Sequence, residues 1–143
     1  MAKPCLCGQT STATAFWIRI IIMKTKYKIN YDWKVDVIIE IDDEIMTNKA
    51  LTEINTFWSN HDRRLNDADG IVLNAVLKLL TGVVLSLKVE YGYNTTGIVS
   101  LFDWNENGGS IEGWPEMNGS KGIEIIRVDD FEFDPDDMTV GLA

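Results

Sequence analysis

The stretch YKINYDWKVDVIIEI, residues 27–41, decides the fold, because apolar and polar side chains alternate along it. The apolar side chains occupy every odd position: Tyr27, Ile29, Tyr31, Trp33, Val35, Val37, Ile39 and Ile41. Alternation with a period of two is typical of strands that bury one face. Fifteen residues are long for a single strand, so we expect a turn at residues 32–34. The stretch therefore predicts a β-hairpin whose polar face meets water.

The segment after the hairpin has the spacing of a helix. Thr47 is a good N-cap residue, and the apolar residues Leu51, Ile54 and Phe57 follow it at helical intervals. This pattern predicts a helix over about residues 48–59. The next residues, 60–70, are rich in turn and capping residues, and we expect a connection there.

A second and longer helix is predicted over residues 71–90, where apolar residues cover most of the helical circumference. Polar residues such as Asn74 and Lys78 interrupt it, which favours a central core helix over a membrane span. Gly82 in its middle costs about 1 kcal/mol relative to alanine, and we interpret it as a point of close packing. Gly92 is positioned to cap the C-terminus of this helix.

The C-terminal part returns to strand character. We predict a strand over residues 97–104, a turn over 105–110, and a bent strand or strand pair over 123–133. The predicted fold class is α+β, with a mainly antiparallel sheet of about four strands and two helices packed on one face. Residues 23–143 are predicted to form this single domain.

Residues 1–22 form an N-terminal extension outside that domain. Its apolar part, residues 13–23, is too short to span a bilayer, contains Arg19 and has no small-residue cleavage site behind it. We interpret the extension as sequence upstream of a natural start at Met23, or as a loosely attached strand; the alternative is a partner contact. We expect a cytoplasmic protein with no membrane association.

The residues that could support catalysis or metal binding are few. Cys5 and Cys7 stand alone as a pair, and His61 is the sole histidine, in a polar stretch. A structural zinc site needs four ligands, and none of the usual nucleophile, phosphate-binding or dinucleotide-binding motifs is present. We therefore predict no catalytic residues, no metal and no cofactor.

The negative charge is unevenly distributed. The chain carries a net charge of −9, yet residues 1–100 hold 11 basic and 11 acidic side chains, whereas residues 101–143 hold 2 basic and 11 acidic ones. Such a field repels nucleic acid and anionic membranes and attracts basic surfaces. The alternative explanation of the negative charge is that it keeps the protein soluble.

The densest acidic row alternates with two phenylalanines, Phe131 and Phe133. An extended chain would place its carboxylates on one face, about 6.7 Å apart. A calcium loop of the EF-hand type is excluded, because Pro135 and Gly141 occupy the positions that require glycine and glutamate. The row is a solvated surface, an anionic surface offered to a basic groove, or a cation site of another type. The predicted partner-binding residues are Asp130, Glu132, Asp134, Asp136, Asp137 and Trp114. For Trp114, between Gly113 and Pro115, the alternative is a plug over the end of the core.

The chain also resembles a family of small acidic bacterial proteins of unknown function that occur on prophages, plasmids and other mobile elements. The resemblance rests on Tyr31-Asp32-Trp33, Glu40-Ile41-Asp42 with Met46-Thr47, Glu53-Ile54-Asn55 with Phe57-Trp58-Ser59, Ala75-Val76-Leu77-Lys78, Glu112-Gly113-Trp114-Pro115, Gly119-Ser120 with Gly122-Ile123, and Phe131-Glu132-Phe133-Asp134. It spans about residue 24 to the C-terminus and implies a cytoplasmic protein in a bacterial host. Small acidic proteins of mobile elements often block host defence complexes, so the resemblance favours a binder over an enzyme.

Together these observations predict a small, acidic, non-enzymatic binding protein. Its partner would be a host or phage protein with a basic surface, engaged through the acidic C-terminal third, and it would act as a mobile-element inhibitor with no direct nucleic acid binding. Two alternatives stay open: an enzyme that uses carboxylates with a divalent cation, and a self-associating structural protein whose residues 16–22 cross between subunits.

Overall fold

The computed structural model describes residues 24–103 and 111–143. These residues form an α+β fold with three strands and four α-helices. In chain order the elements are β1 (Lys24–Tyr31), β2 (Val35–Asp42), α1 (Asn48–Phe57), α2 (His61–Asp67), α3 (Val72–Tyr91), α4 (Thr95–Leu101), β3 (Ile123–Val128) and a 3-10 turn (Pro135–Asp137). The predictions for the N-terminal extension and for the turn at 105–110 fall outside the described residues.

The predicted hairpin is confirmed. Strands β1 and β2 pair antiparallel, with Tyr31 opposite Val35 next to the turn. Asp32 and Trp33 adopt left-handed backbone conformations (φ 50° and 61°), as required at both central positions of a tight hairpin turn. The odd residues of β2, Val35 to Ile41, are 0–3% exposed. Strand β2 therefore buries the face that the alternation indicated, whereas on β1 Tyr27 and Ile29 are only partly buried and Tyr31 is 54% exposed.

The sheet has the order β1-β2-β3 and is antiparallel throughout. The sheet has three strands, whereas about four were predicted. The difference arises because residues 95–101 form helix α4, where a strand over 97–104 was predicted. The Asn94 side chain accepts a hydrogen bond from the Gly97 backbone N–H (2.9 Å) and starts this helix. Helical spacing then lets Ile98 and Phe102, four residues apart, reach the core together, and both are 0% exposed.

Helices α1 and α3 lie close to their predicted positions. Thr47 caps α1 through a 3.3 Å hydrogen bond that its hydroxyl accepts from the Ala50 backbone N–H. Gly92 (φ 67°) ends α3, and its N–H donates to the carbonyl of Lys88 at 2.9 Å. Helix α3 is long and apolar enough to cross a membrane by composition, but eight of its residues are buried within the fold. Burial of this kind is typical of a core helix.

Two helix predictions were wrong. The connection expected at 60–70 contains helix α2, which begins after Asn60 in a left-handed conformation (φ 62°), so the described residues hold four helices where two were predicted. Gly82 does not pack closely, because a Cβ atom built on it meets no atom within 4 Å. It lies on the outward surface of α3.

The core lies between the buried face of the sheet and the helices. Its largest fully buried side chains include Ile39 of β2, Leu80 of α3, and Ile98 and Phe102 of α4 and its C-terminal end. Helix α3 contacts α1, α2, α4 and β1, and α4 contacts β3. The region after β3 is thus left at the edge of the packed layers.

Candidate functional site

The predicted acidic row follows directly from strand β3. Asp129 makes the last sheet-like contact, because its N–H donates to the carbonyl of Asp36 at 3.1 Å. From Asp130 to Asp134 the chain has no regular secondary structure, and it then enters the 3-10 turn. We call residues 129–137 the acidic segment.

Two lysines from the first hundred residues tie this segment to the fold. The Lys88 ammonium contacts the Asp130 carboxylate at 3.1 Å and also donates to the carbonyl of Tyr93 at 2.7 Å. The Lys88 side chain is only 9% exposed, whereas that of Asp130 is 97% exposed. The Asp130 carboxylate thus reaches over a buried cation while facing solvent.

The second link joins Asp137 to Lys34 in the hairpin turn, at 3.4 Å. The hydrogen bond from Lys34 to Asp137, followed by the charge of that carboxylate, raises the pKa of Lys34 above its ordinary value of 10.5. Two of the five predicted acidic partner residues, Asp130 and Asp137, are therefore paired within the molecule. The expectation of a wholly unpaired row is corrected on this point.

Glu132, Asp134 and Asp136 remain exposed, and within the described ranges none of them forms an ion pair. The Asp134 carboxylate accepts a hydrogen bond from the Asp136 N–H (2.9 Å) and caps the 3-10 turn. This turn breaks the two-residue period, so the predicted single face of carboxylates ends at Asp134. The exposed acidic surface consists of these three side chains, with Asp130 beside them.

Two other described acidic residues of the C-terminal part, Glu116 and Glu124, lie away from the acidic segment. Glu124 is near the start of β3, where Asn118 pairs with it in an isolated bridge, and Glu116 accepts hydrogen bonds from Asn118 and Ser120. Strand β3, with six residues, separates this group from the acidic segment by about 20 Å. Glu116 and Glu124 thus lie at the opposite end of β3 from the acidic segment.

An apolar groove lies beside the acidic segment, and sequence reasoning missed it. It has a volume of about 730 Å3 and is bounded by the end of β1, the outer surface of α3 and the two phenylalanines of the acidic segment. Its lining residues are Ile29, Asn30, Tyr31, Lys78, Thr81, Gly82, Leu85, Ser86, Val89, Phe131 and Phe133. The Phe131 and Phe133 rings meet edge to face at 5.2 Å. Their alternation with the acids was visible in the sequence, but their neighbours were not.

Trp114 is withdrawn from the predicted partner-binding set, because it is 2% exposed. Its ring lies 6.2 Å from that of Trp58, and the preceding Gly113 (φ 83°) is so close that a Cβ there would meet the Phe57 ring at 2.6 Å. Among the residues that the structure describes, neither indole N–H of this tryptophan pair has a hydrogen-bond partner. Trp114 is the plug over the end of the core, the alternative reading of its sequence position.

The polar residues around His61 have a structural arrangement. Arg64 donates to the side chain of Asn55 (2.7 Å) and to the carbonyls of Asn55, Trp58 and Ser59, which end helix α1. His61 contacts the exposed Asp62 at 3.2 Å. In the part of the chain that the structure describes, no group of three or more His, Cys, Asp or Glu residues could hold a metal ion. None of the described residues that line the groove carries a carboxylate.

The fold and these features define a small α+β protein with a net charge of −9, in which an exposed acidic segment follows the last strand. The chain belongs to the family described as "Protein of unknown function (DUF2528)", whose model matches residues 36–140. It is 48% identical over 119 residues to "Protein ea10" of Escherichia phage lambda and to "Lambda prophage-derived protein ea10" of Escherichia coli O6:H1. Each match covers 82% of this chain and 96% of the relative. No solved structure matches the chain. The resemblance to a phage and mobile-element family is confirmed.

Proposed function

We propose that this protein is a small non-enzymatic binder that engages a basic surface of a host or phage protein through its acidic segment. In the cytoplasm of the bacterial host it would inhibit that partner, as a counter-defence protein of a mobile element. The observation that carries this proposal is the exposed trio Glu132, Asp134 and Asp136, which no cation neutralises within the described residues.

Electrostatics supports a protein partner in preference to nucleic acid or an anionic membrane. The net charge of −9 repels phosphates at long range and accelerates encounter with a basic surface. Each exposed carboxylate paired with a lysine or arginine contributes at most about 1 kcal/mol. Several such pairs are needed for stable binding, and the acidic segment offers three unpaired carboxylates within five residues.

The test begins by capturing the partner from cytoplasm of an Escherichia coli host and purifying it, so that its affinity can be measured directly. Wild type is compared with a triple variant, Glu132→Gln, Asp134→Asn and Asp136→Asn. At about 0.5 kcal/mol per lost pair, the triple variant should bind about tenfold more weakly. Raising the salt concentration should weaken wild-type binding more than binding of the variant.

A matched control removes three negative charges elsewhere: Glu44→Gln, Glu53→Gln and Asp69→Asn. All three side chains are exposed, and Asp69 has a positive φ of 56° that asparagine tolerates well. The control should retain most of the affinity. Equal losses in the two triple variants would reduce the effect to net charge, and unchanged affinity in the first would remove the acidic segment from the interface.

A further inference from the structure

We propose that the apolar groove beside the acidic segment is the docking site for an amphipathic helix of the partner, with basic residues along its flank. The inference rests on the proposed function and deepens it, because it adds an apolar anchor site to an acidic surface. The juxtaposition that supports it is the alternation of Phe131 and Phe133, which line the groove, with Asp130 and Glu132, which are exposed beside it.

The floor of the groove is chemically suited to apolar side chains. Leu85 and Val89 of α3 face it together with Ile29 of β1, and Phe133 at its edge is 65% exposed. Its volume of about 730 Å3 falls within the range in which ligand pockets occur, roughly 300–1,000 Å3. An amphipathic helix inserts side chains into such a groove at positions i, i+3 or i+4, and i+7.

Helix α3 presents small side chains along part of the groove. Gly82 and Ser86 stand one helical turn apart in the lining, and nothing lies within 4 Å of the Cβ position of Gly82. Small residues at this spacing let a second helix backbone approach closely. Packing within the described residues gives no reason for a glycine here, whereas a docked helix would make use of the space.

The charged residues around the groove indicate the sign of the charge that the occupant should carry. The acidic segment forms one rim, and Glu132 and Asp134 have no cation paired with them among the residues described. Lys78, the one charged residue among the described residues of the lining, lies about 15 Å along α3 from Lys88, which contacts Asp130. A helix with lysines or arginines on the flank that meets the acidic segment matches this asymmetry. A second copy of the chain would bring its own charge of −9 and is disfavoured by repulsion.

The test uses a designed 14-residue leucine/lysine peptide that is amphipathic as a helix and carries a neutral fluorophore, titrated with the full-length protein by fluorescence anisotropy. A peptide of the same composition, scrambled so that its leucines do not share a face, controls for charge alone. We expect the amphipathic peptide to bind at least tenfold more tightly than the scrambled one. Equal affinity of the two peptides would overturn the proposal that the groove binds a helix.

The decisive variant is Gly82→Leu, which fills the groove without changing any charge. It should weaken binding of the amphipathic peptide at least tenfold. Thr52→Leu, which adds the same side chain to the exposed surface of α1, is the matched control and should bind as wild type does. Circular dichroism and thermal unfolding establish that both variants are folded. Wild-type affinity in a folded Gly82→Leu variant would overturn the proposal.

The Glu132/Asp134/Asp136 variant distinguishes this inference from the proposed function. If only that variant loses the peptide, the groove proposal fails while the acidic binding surface stands. If only Gly82→Leu loses it, an apolar docking site stands and the electrostatic function fails. If light scattering shows a dimer that Gly82→Leu converts to monomer, the occupant is a second copy and the proposal of a partner helix is overturned.

Discussion

Strand β2 and the acidic segment both alternate apolar and charged residues, yet only β2 buries its apolar side chains completely. Val37 and Ile39 are 0% exposed, whereas Phe133 is 65% exposed. Strand β2 has a hydrogen-bonded neighbour on each side, while in the described part of the chain the acidic segment makes one backbone hydrogen bond to the sheet, from Asp129 to Asp36. Alternation therefore specifies which side chains share a face, and strand pairing decides whether that face is covered.

The largest effect should come from truncating the apolar side chain at the centre of β2. Ile39→Ala should lower the free energy of unfolding by about 2–5 kcal/mol, because it removes a fully buried side chain and leaves a cavity. Urea denaturation of the same protein with Phe133→Ala, at the exposed counterpart, should show a loss below about 1 kcal/mol. Similar losses at the two positions would contradict the conclusion that only β2 buries its apolar face.

A smaller effect is expected where the acidic segment is held to helix α3. Lys88→Ala removes the hydrogen bonds to Tyr93 and Asp130 and should destabilise the protein by about 1.5–3 kcal/mol, as is typical of hydrogen bonds to a charged group. Asp130→Asn should cost less than about 1 kcal/mol, since its carboxylate is exposed. Thermal unfolding measures both. Equal losses would mean that the Tyr93 carbonyl contributes nothing.

Gly82, in the groove beside the acidic segment, should respond in the opposite direction. Gly82→Ala should stabilise the protein by about 0.5–1 kcal/mol, because alanine is the better helix former and its Cβ meets no atom within 4 Å. Chemical denaturation would show the gain as a higher midpoint. A loss of stability would mean that other atoms already occupy the space next to Gly82.

The smallest effect concerns the link between the acidic segment and the hairpin turn. The pKa of Lys34 is raised by Asp137, so the stabilisation from this ion pair is present below the unfolded value of 10.5 and is lost as the pH rises through the higher folded value. Both side chains are about half exposed to solvent, at 41% and 52%, so the effect of the pair should weaken with salt. Titration of Lys34 by NMR should give a raised pKa in wild type and a value nearer 10.5 in Asp137→Asn.

The local patterns in the sequence were sufficient for the hairpin and for helices α1 and α3. They failed at α4, where Thr95 and Val99 have strand propensity but Asn94 supplies a helix cap and the core takes Ile98 at helical spacing. They also failed at α2, whose polar residues are those of a turn. Propensity is a weak signal in segments of seven residues. At α4 the packing of Ile98 in the core overrides it, whereas α2 has no buried residue and is tied to the end of α1 by the hydrogen bonds of Arg64.

The candidate site was predicted only in part. Glu132, Asp134 and Asp136 are exposed as expected, since a run of acids beyond the last strand has nowhere to be buried. The pairing of Asp130 with Lys88 joins residues 42 positions apart, and Trp114 is buried against Trp58 from another part of the chain. Neither contact has a local sequence signal.

The sequence by itself determined the α+β class, the register of the hairpin and the excess of negative charge near the C-terminus. These follow from side-chain periodicity and composition, which act along the chain. Only the tertiary structure decided which carboxylates are paired, which tryptophan is buried and where a groove opens beside α3. Those outcomes depend on distances between residues that are remote in sequence, and such distances are set when the sheet and helices pack together.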